Sequence, residues 1–155
     1  FAVPLSRFAV SFAEEKGNFV GREILKNHSD EVSARQAGEL DQSLKTLGLP
    51  KRFFCVQVIG KGIARQGHEV SLPNGEVAGR ITSGTMVPYW NFEDEHPGET
   101  SSKRAIALAY LQANLKAGQL LQIYDGRQML KAAITKRHIN SKNQPFARSE
   151  IYQNS

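Results

Sequence analysis

Residues 79–90, GRITSGTMVPYW, gather two glycines, a serine and two threonines within one apolar stretch. Such a run can cradle a phosphate, present a serine nucleophile on a turn, or bend one strand into the next. A phosphate loop needs Lys-Ser/Thr after its second glycine and a helix to follow. Here Gly84 is followed by Thr85-Met86-Val87-Pro88, and the proline argues against a helix. A Gly-x-Ser-x-Gly elbow is absent, and Ser83 has no histidine partner at a diagnostic spacing. The stretch therefore reads as the end of a strand at residues 76–82, with Gly84 allowing a tight turn.

The other reactive residue types are scattered. His28, His68, His96 and His138 form no His-x-x-x-His pair, and no Cys-x-x-Cys exists, so zinc or iron is not expected. His96 lies beside Glu93, Asp94 and Glu95, an acidic group that reads as solvated charge. The lone cysteine, Cys55, sits in the apolar run at residues 53–59 and reads as a buried, inert thiol. With one cysteine no disulfide forms within the chain, which points to a reducing compartment. The residues alone give no catalytic site.

Charge is unevenly placed. The net +5 resides in residues 127–155, where Arg127, Lys131, Lys136, Arg137, Lys142 and Arg148 face Glu150 alone. Residues 1–126 balance at 14 basic and 14 acidic. A basic tail is not the stripe across a folded face that nucleic acid requires, so no nucleic-acid partner is expected. No apolar run approaches the roughly 20 residues of a membrane helix. The start, FAVP, lacks an initiator methionine and the features of a signal peptide, and reads as a cut from a longer chain.

The elements that must position these residues fall into three spans. Residues 1–50 hold a loosely alternating strand at 8–12 and a helix beginning at Gly17-Asn18 before residues 19–26. A second helix is capped by Ser29, with Ala37, Leu40, Leu44 and Leu47 at helical spacing. Residues 51–138 change period to short strands at 53–59, 69–72, 76–82, 105–110, 120–124 and 128–135. Pro73-Asn74-Gly75 and Asp125-Gly126 are hairpin turns. Residues 91–103 are read as an exposed acidic loop. Residues 139–155 read as a tail. The fold expected is mainly β with N-terminal helices (α+β), its C-terminal domain a small antiparallel, jelly-roll-like β-barrel.

Four stretches together resemble a family. Residues 16–25 (KGNFVGREIL), 62–70 (GIARQGHEV), 75–85 (GEVAGRITSGT) and 106–111 (IALAYL) are similar, in order and spacing, to signatures of the glycine cleavage system T-protein, the folate-dependent aminomethyltransferase. The resemblance covers residues 4 to about 137 and only the carboxy-terminal portion of that family. It implies a three-domain enzyme around tetrahydrofolate that takes a one-carbon unit from an aminomethyl donor. Residues 1–50 would end the folate-binding region and residues 51–138 would be the closing barrel. The implied partners are a missing N-terminal folate-binding half and a lipoyl carrier protein. The implied location is cytoplasmic, or the mitochondrial matrix in a eukaryote.

In that family the catalytic aspartate and the pterin-gripping acids lie upstream, so none is assigned here and the isolated chain is expected to be inactive. Two arginines remain as cofactor-binding candidates. Arg148, after Pro145-Phe146, and Arg65, in a glycine-flanked turn, carry the forked guanidinium that suits the carboxylates of folate's glutamate end. The alternatives are a related folate-dependent demethylase or dehydrogenase, and a non-catalytic barrel module with the basic tail as its contact surface.

Overall fold

The computed structural model describes residues 2, 3, 5–37, 48–93 and 96–135. In chain order these form α1 (Ser6–Ala9), a 3-10 turn (Glu14–Lys16) and α2 (Arg22–Ala37). Then come β1 (Lys51–Val58), β2 (Glu69–Ser71), β3 (Val77–Glu93), β4 (His96–Gln112), β5 (Leu120–Tyr124) and β6 (Met129–Thr135). The six strands close an antiparallel barrel in the order β1-β4-β3-β2-β5-β6, with β6 returning to β1. The mainly β class, the N-terminal helical region and the small barrel are thus all present. The chain divides into two compact units, one running to Phe53 and adding Leu111–Leu115, the other holding the remainder.

In the first unit a single helix replaces the two expected. Nothing from Arg22 to Ala37 is glycine or proline, and charges pair at i,i+4 along it. Lys26 Nζ meets Asp30 at 2.8 Å, and Arg35 Nε meets Glu31 at 3.1 Å. Ser29 is therefore no cap; its carbonyl accepts a bond from the Ser33 hydroxyl at 3.0 Å in mid-helix. Gly17 (φ 66°) closes the 3-10 turn instead of starting a helix, and α2 begins only after Gly21 (φ 82°). The strand expected at residues 8–12 is also replaced. The chain there makes the one-turn α1, fixed by the Ser6 hydroxyl on the Val3 carbonyl at 2.7 Å. The expected helical positions Leu40, Leu44 and Leu47 lie outside the described residues.

In the second unit the core is built by strand alternation. Val56, Val70, Ile81, Leu121, Ile123 and Ile134 are fully buried, each worth about 1.5–3 kcal/mol over an exposed position. Strand β4 contributes Ala105, Ala107 and Ala109 to this core, and its Leu111, which belongs to the first unit, is fully buried as well. β1 and β6 pair with Cys55 opposite Thr135 and Val58 opposite Ala132. β5 and β6 pair from Leu120 opposite Ala133 to Tyr124 opposite Met129.

The two expected turns are present. Gly75 (φ 83°) donates to the Leu72 carbonyl at 2.9 Å, between β2 and β3. Between β5 and β6, Asp125 Oδ1 accepts from the backbone N–H of Gln128 at 2.8 Å and of Arg127 at 2.9 Å. Residues 91–103, by contrast, are not a loop. β3 runs on to Glu93 and β4 starts at His96, so most of the span belongs to two long paired strands.

Candidate functional site

The stretch that drew attention in the sequence lies within β3. Gly84 makes no turn, because the strand continues through it. Its lack of a side chain serves a close approach instead: a Cβ there would fall on the carbonyl oxygen of buried Ala64, in the loop between β1 and β2. That loop then follows the edge of β3. Ile81 N–H donates to the His68 carbonyl at 2.9 Å, and Gly67 N–H to the Ile81 carbonyl at 3.0 Å. Arg65 extends the seam with its side chain, Nη1 donating to the Gly84 carbonyl at 3.3 Å. The backbone N–H of Arg65 donates to His68 Nδ1 at 3.2 Å, which fixes the turn that presents it.

Beside this seam lies a cleft of about 290 Å³, lined by Cys55 from β1, Ser83, Gly84 and Thr85 from β3, and Ile106, Ala107 and Leu108 from β4. Thr82 Oγ1 bonds the Leu108 carbonyl at 3.0 Å, tying β3 to β4 along it. Cys55 corrects an expectation. It is half-buried and lines the cleft, because burial of its neighbours Phe54 and Val56 turns it the other way. The alternation in KRFFCVQV was the signal available for this in the sequence. Ser83, weighed as a nucleophile, is an exposed residue of the same wall.

Of the two arginines expected to meet a cofactor, Arg65 is exposed at this seam, with one donor engaged by Gly84. Arg148 lies outside the described residues, so the two are not brought together. Among the described residues no three His, Cys, Asp or Glu side chains gather into a metal-binding group, and no helix is long and apolar enough to cross a membrane.

The other charged and aromatic groupings hold backbone in place. In the first unit Glu31 divides its carboxylate between Arg35 and the backbone N–H of Leu49, at 3.1 and 2.9 Å. Burial, and then the nearby Arg35, lower the pKa of the Arg52 guanidinium, which Glu31 opposes. His28 Nε2 lies 2.7 Å from the Gly48 carbonyl. The motif KGNFVGREIL makes a local aromatic cluster. Phe12 and Phe19 stack at 6.4 Å, Lys16 sits 5.0 Å from the Phe19 ring, and Arg22 donates to the Phe12 carbonyl at 3.0 Å. In the second unit Asp125 is held below the usual carboxylate range by the backbone N–H of Gln128 first, then of Arg127.

The chain that carries this seam is similar to known proteins. The chain is 30% identical over 137 residues to the aminomethyltransferase of Nostoc sp., covering 88% of this chain and 27% of that protein. It is 33% identical over 111 residues to the aminomethyltransferase of Picosynechococcus sp., covering 71% of this chain and again 27% of the relative. The chain is related to a portion of the aminomethyltransferases. It spans about a quarter of the length of these relatives. No protein-family model matches it. Of the stretches that resemble the family in sequence, GIARQGHEV leads into β2, GEVAGRITSGT runs from the Gly75 turn through Thr85 of β3, and IALAYL lies on β4. The last two line the cleft, and the first is joined to it through the Arg65–Gly84 bond.

Proposed function

We propose that this chain is the carboxy-terminal barrel region of a folate-dependent aminomethyltransferase. The whole protein passes a one-carbon unit from an aminomethyl donor to tetrahydrofolate; with a lipoyl-bound donor, ammonia is released. The supporting observation is the relationship to aminomethyltransferases along most of the chain, with two of the resembling stretches joined through Arg65 and Gly84 and the third tied on through Thr82 and Leu108 in a closed barrel.

In this reading the barrel acts by positioning, not by acid–base chemistry. Arg65 is the described residue suited to the folate carboxylates: it is exposed, and one of its donors is already fixed by Gly84. Tetrahydrofolate supplies the nitrogens that accept the one-carbon unit; this chain supplies a carboxylate contact and a wall. Arg148 is the second candidate for the same end. The remaining three quarters of the parent protein carry the pterin contacts and the general acid–base groups. The first unit fits a docking role. Leu5, Phe8, Val20 and Ile24 are all exposed there, from 62% for Ile24 to 102% for Val20.

The test has two arms. Calorimetry of tetrahydrofolate into this chain alone should show no micromolar binding and no turnover. Co-expression with an aminomethyltransferase N-terminal region should give a complex that transfers the methylene carbon, and Arg65→Gln in it should raise KM for tetrahydrofolate about tenfold. Micromolar binding or transfer by the chain alone would overturn the assignment of folate recognition to the remainder of the protein. Failure of the complex to transfer to any folate would overturn the activity.

A further inference from the structure

The outer face of β4 carries the larger apolar side chains of its central segment. Ala105, Ala107 and Ala109 are buried, whereas Ile106 is half-buried and Leu108 is 44% exposed. Between Ala105 and Ala109 the bulk thus faces outward, the reverse of a strand that serves packing alone, before the buried Leu111 restores the usual order. A single exposed leucine would mean little. Here Leu108 and Ile106 share a wall with Ala107 and Cys55, and the open cleft they line has a volume of about 290 Å³. That is near the small end of ligand clefts, which begin at about 300 Å³. The space suits a small molecule.

The polar groups at the cleft are few. Ser83 and Thr85 bring hydroxyls from β3, and no lining residue is charged. The nearby charge fixed to the wall is the exposed Arg65 guanidinium, bonded through Nη1 to the carbonyl of lining Gly84. Gly84 cannot carry a side chain without displacing the Ala64 carbonyl, so the Arg65 loop stays seated against β3. An apolar wall, two hydroxyls and, at the lip, a guanidinium that makes no ion pair among the described residues define the complementary ligand.

We propose that this cleft binds a small carboxylic acid, its apolar body against Ile106, Leu108 and Cys55 and its carboxylate on Arg65. The site requires neither folate nor the parent enzyme, and would stand if the barrel served another reaction. The Arg65 fork supplies charge-assisted donors to a planar carboxylate, and Ser83 and Thr85 supply secondary ones.

The test uses the chain as it is, titrated with octanoate, octanamide and benzoate while amide shifts are followed. Octanoate should move the signals of Ser83, Thr85, Ile106 and Leu108 and saturate at millimolar concentration. Octanamide, which has the same body but no charge, should bind about tenfold more weakly, as expected for loss of a charge-assisted bond. Benzoate binding as well would show that the apolar wall accepts a ring; octanoate alone would define an aliphatic site. Both results support the cleft. Arg65→Gln should bring octanoate down to the affinity of octanamide, and Ser83→Trp should block both by filling the wall. The wild-type octanoate and octanamide comparison depends on no variant's folding. Equal affinities for acid and amide, shifts elsewhere on the barrel, or no saturable shift would each overturn the proposal.

Discussion

The two hairpins of the barrel are built in opposite ways. The β5–β6 hairpin is short, and its turn is written in adjacent residues. Asp125 binds two backbone N–H groups, and Gly126 adopts φ 93°. Both its strands are held on their outer sides, β5 by β2 and β6 by β1. The β3–β4 hairpin has 17-residue strands, far beyond the three residues of β2 that pair with one side of it. Its outer length is tied by side chains across the ribbon. Asn91 Nδ2 donates to Thr100 Oγ1 at 2.8 Å, Ser102 Oγ donates to Asn91 Oδ1 at 2.9 Å, and Arg104 lies 5.7 Å from the Tyr89 ring. One hairpin is thus supported along its whole length by core burial, and the outer length of the other by polar pairs, so mutations in the two should have different reach.

The largest effect is expected in the short hairpin. Ile123→Ala removes a fully buried side chain from β5 and should cost about 2–5 kcal/mol, lowering the thermal midpoint of the whole barrel. A loss confined to β5 and β6 in hydrogen exchange, with the midpoint unchanged, would break the view that this hairpin belongs to the common core. Gly84→Ala comes next, at the base of the long hairpin. Its new Cβ meets backbone and not a flexible side chain, so about 1–3 kcal/mol is expected together with loss of the Arg65 seam. Denaturant titration of that variant against Gly75→Ala would separate steric conflict from the cost of a left-handed turn.

Smaller and more local is Asn91→Ala. It removes two cross-strand bonds and should cost about 0.5–1.5 kcal/mol, read as faster amide exchange in the ribbon with barrel protection intact. Equal acceleration in β5 would show that the two hairpins unfold together. The smallest effect belongs to pH at Asp125. Its folded-state pKa is depressed, so its contribution is present above the unfolded value of about 3.9 and fades as pH falls through both. Asp125→Asn keeps an acceptor oxygen but does not titrate. The stability gap between wild type and variant should therefore shrink as pH is lowered from about 5 to about 2. A constant gap would place the depressed value elsewhere.

Legibility in the sequence followed the same division. Leu120–Tyr124 alternates between buried and outward positions, and Met129–Thr135 does so until a buried run from Ala132 to Thr135, around a strong turn signal, so this hairpin is readable within one residue at its ends. The extension of β3 and β4 was not. Residues 91–103 are polar and acidic, and a solvated strand whose bonds are made by Asn91, Thr100 and Ser102 leaves no apolar period to detect. The helices failed for a related reason: Ser29 and Asp30 carry the chemistry of a cap, yet the i,i+4 ion pairs on both sides are satisfied only by a continuous helix. At the candidate site, Arg65 and the small-residue stretch were picked out by type. Cys55 and Leu108 were not, because nothing local says which strands will be neighbours.

The sequence by itself determined the barrel class, its tight turns, the motifs that tie it to part of an aminomethyltransferase, and the candidacy of Arg65. Those are local or additive properties, carried by strand alternation, turn chemistry and residue type. Tertiary structure decided what Gly84 is for and what surrounds it. Whether a glycine makes a turn or admits a neighbouring backbone depends on what lies across from it, and Ala64 is 20 residues away in the chain. The cleft has the same origin: it exists because closure of the barrel sets β1, β4 and β3 side by side, an order that no window of sequence contains.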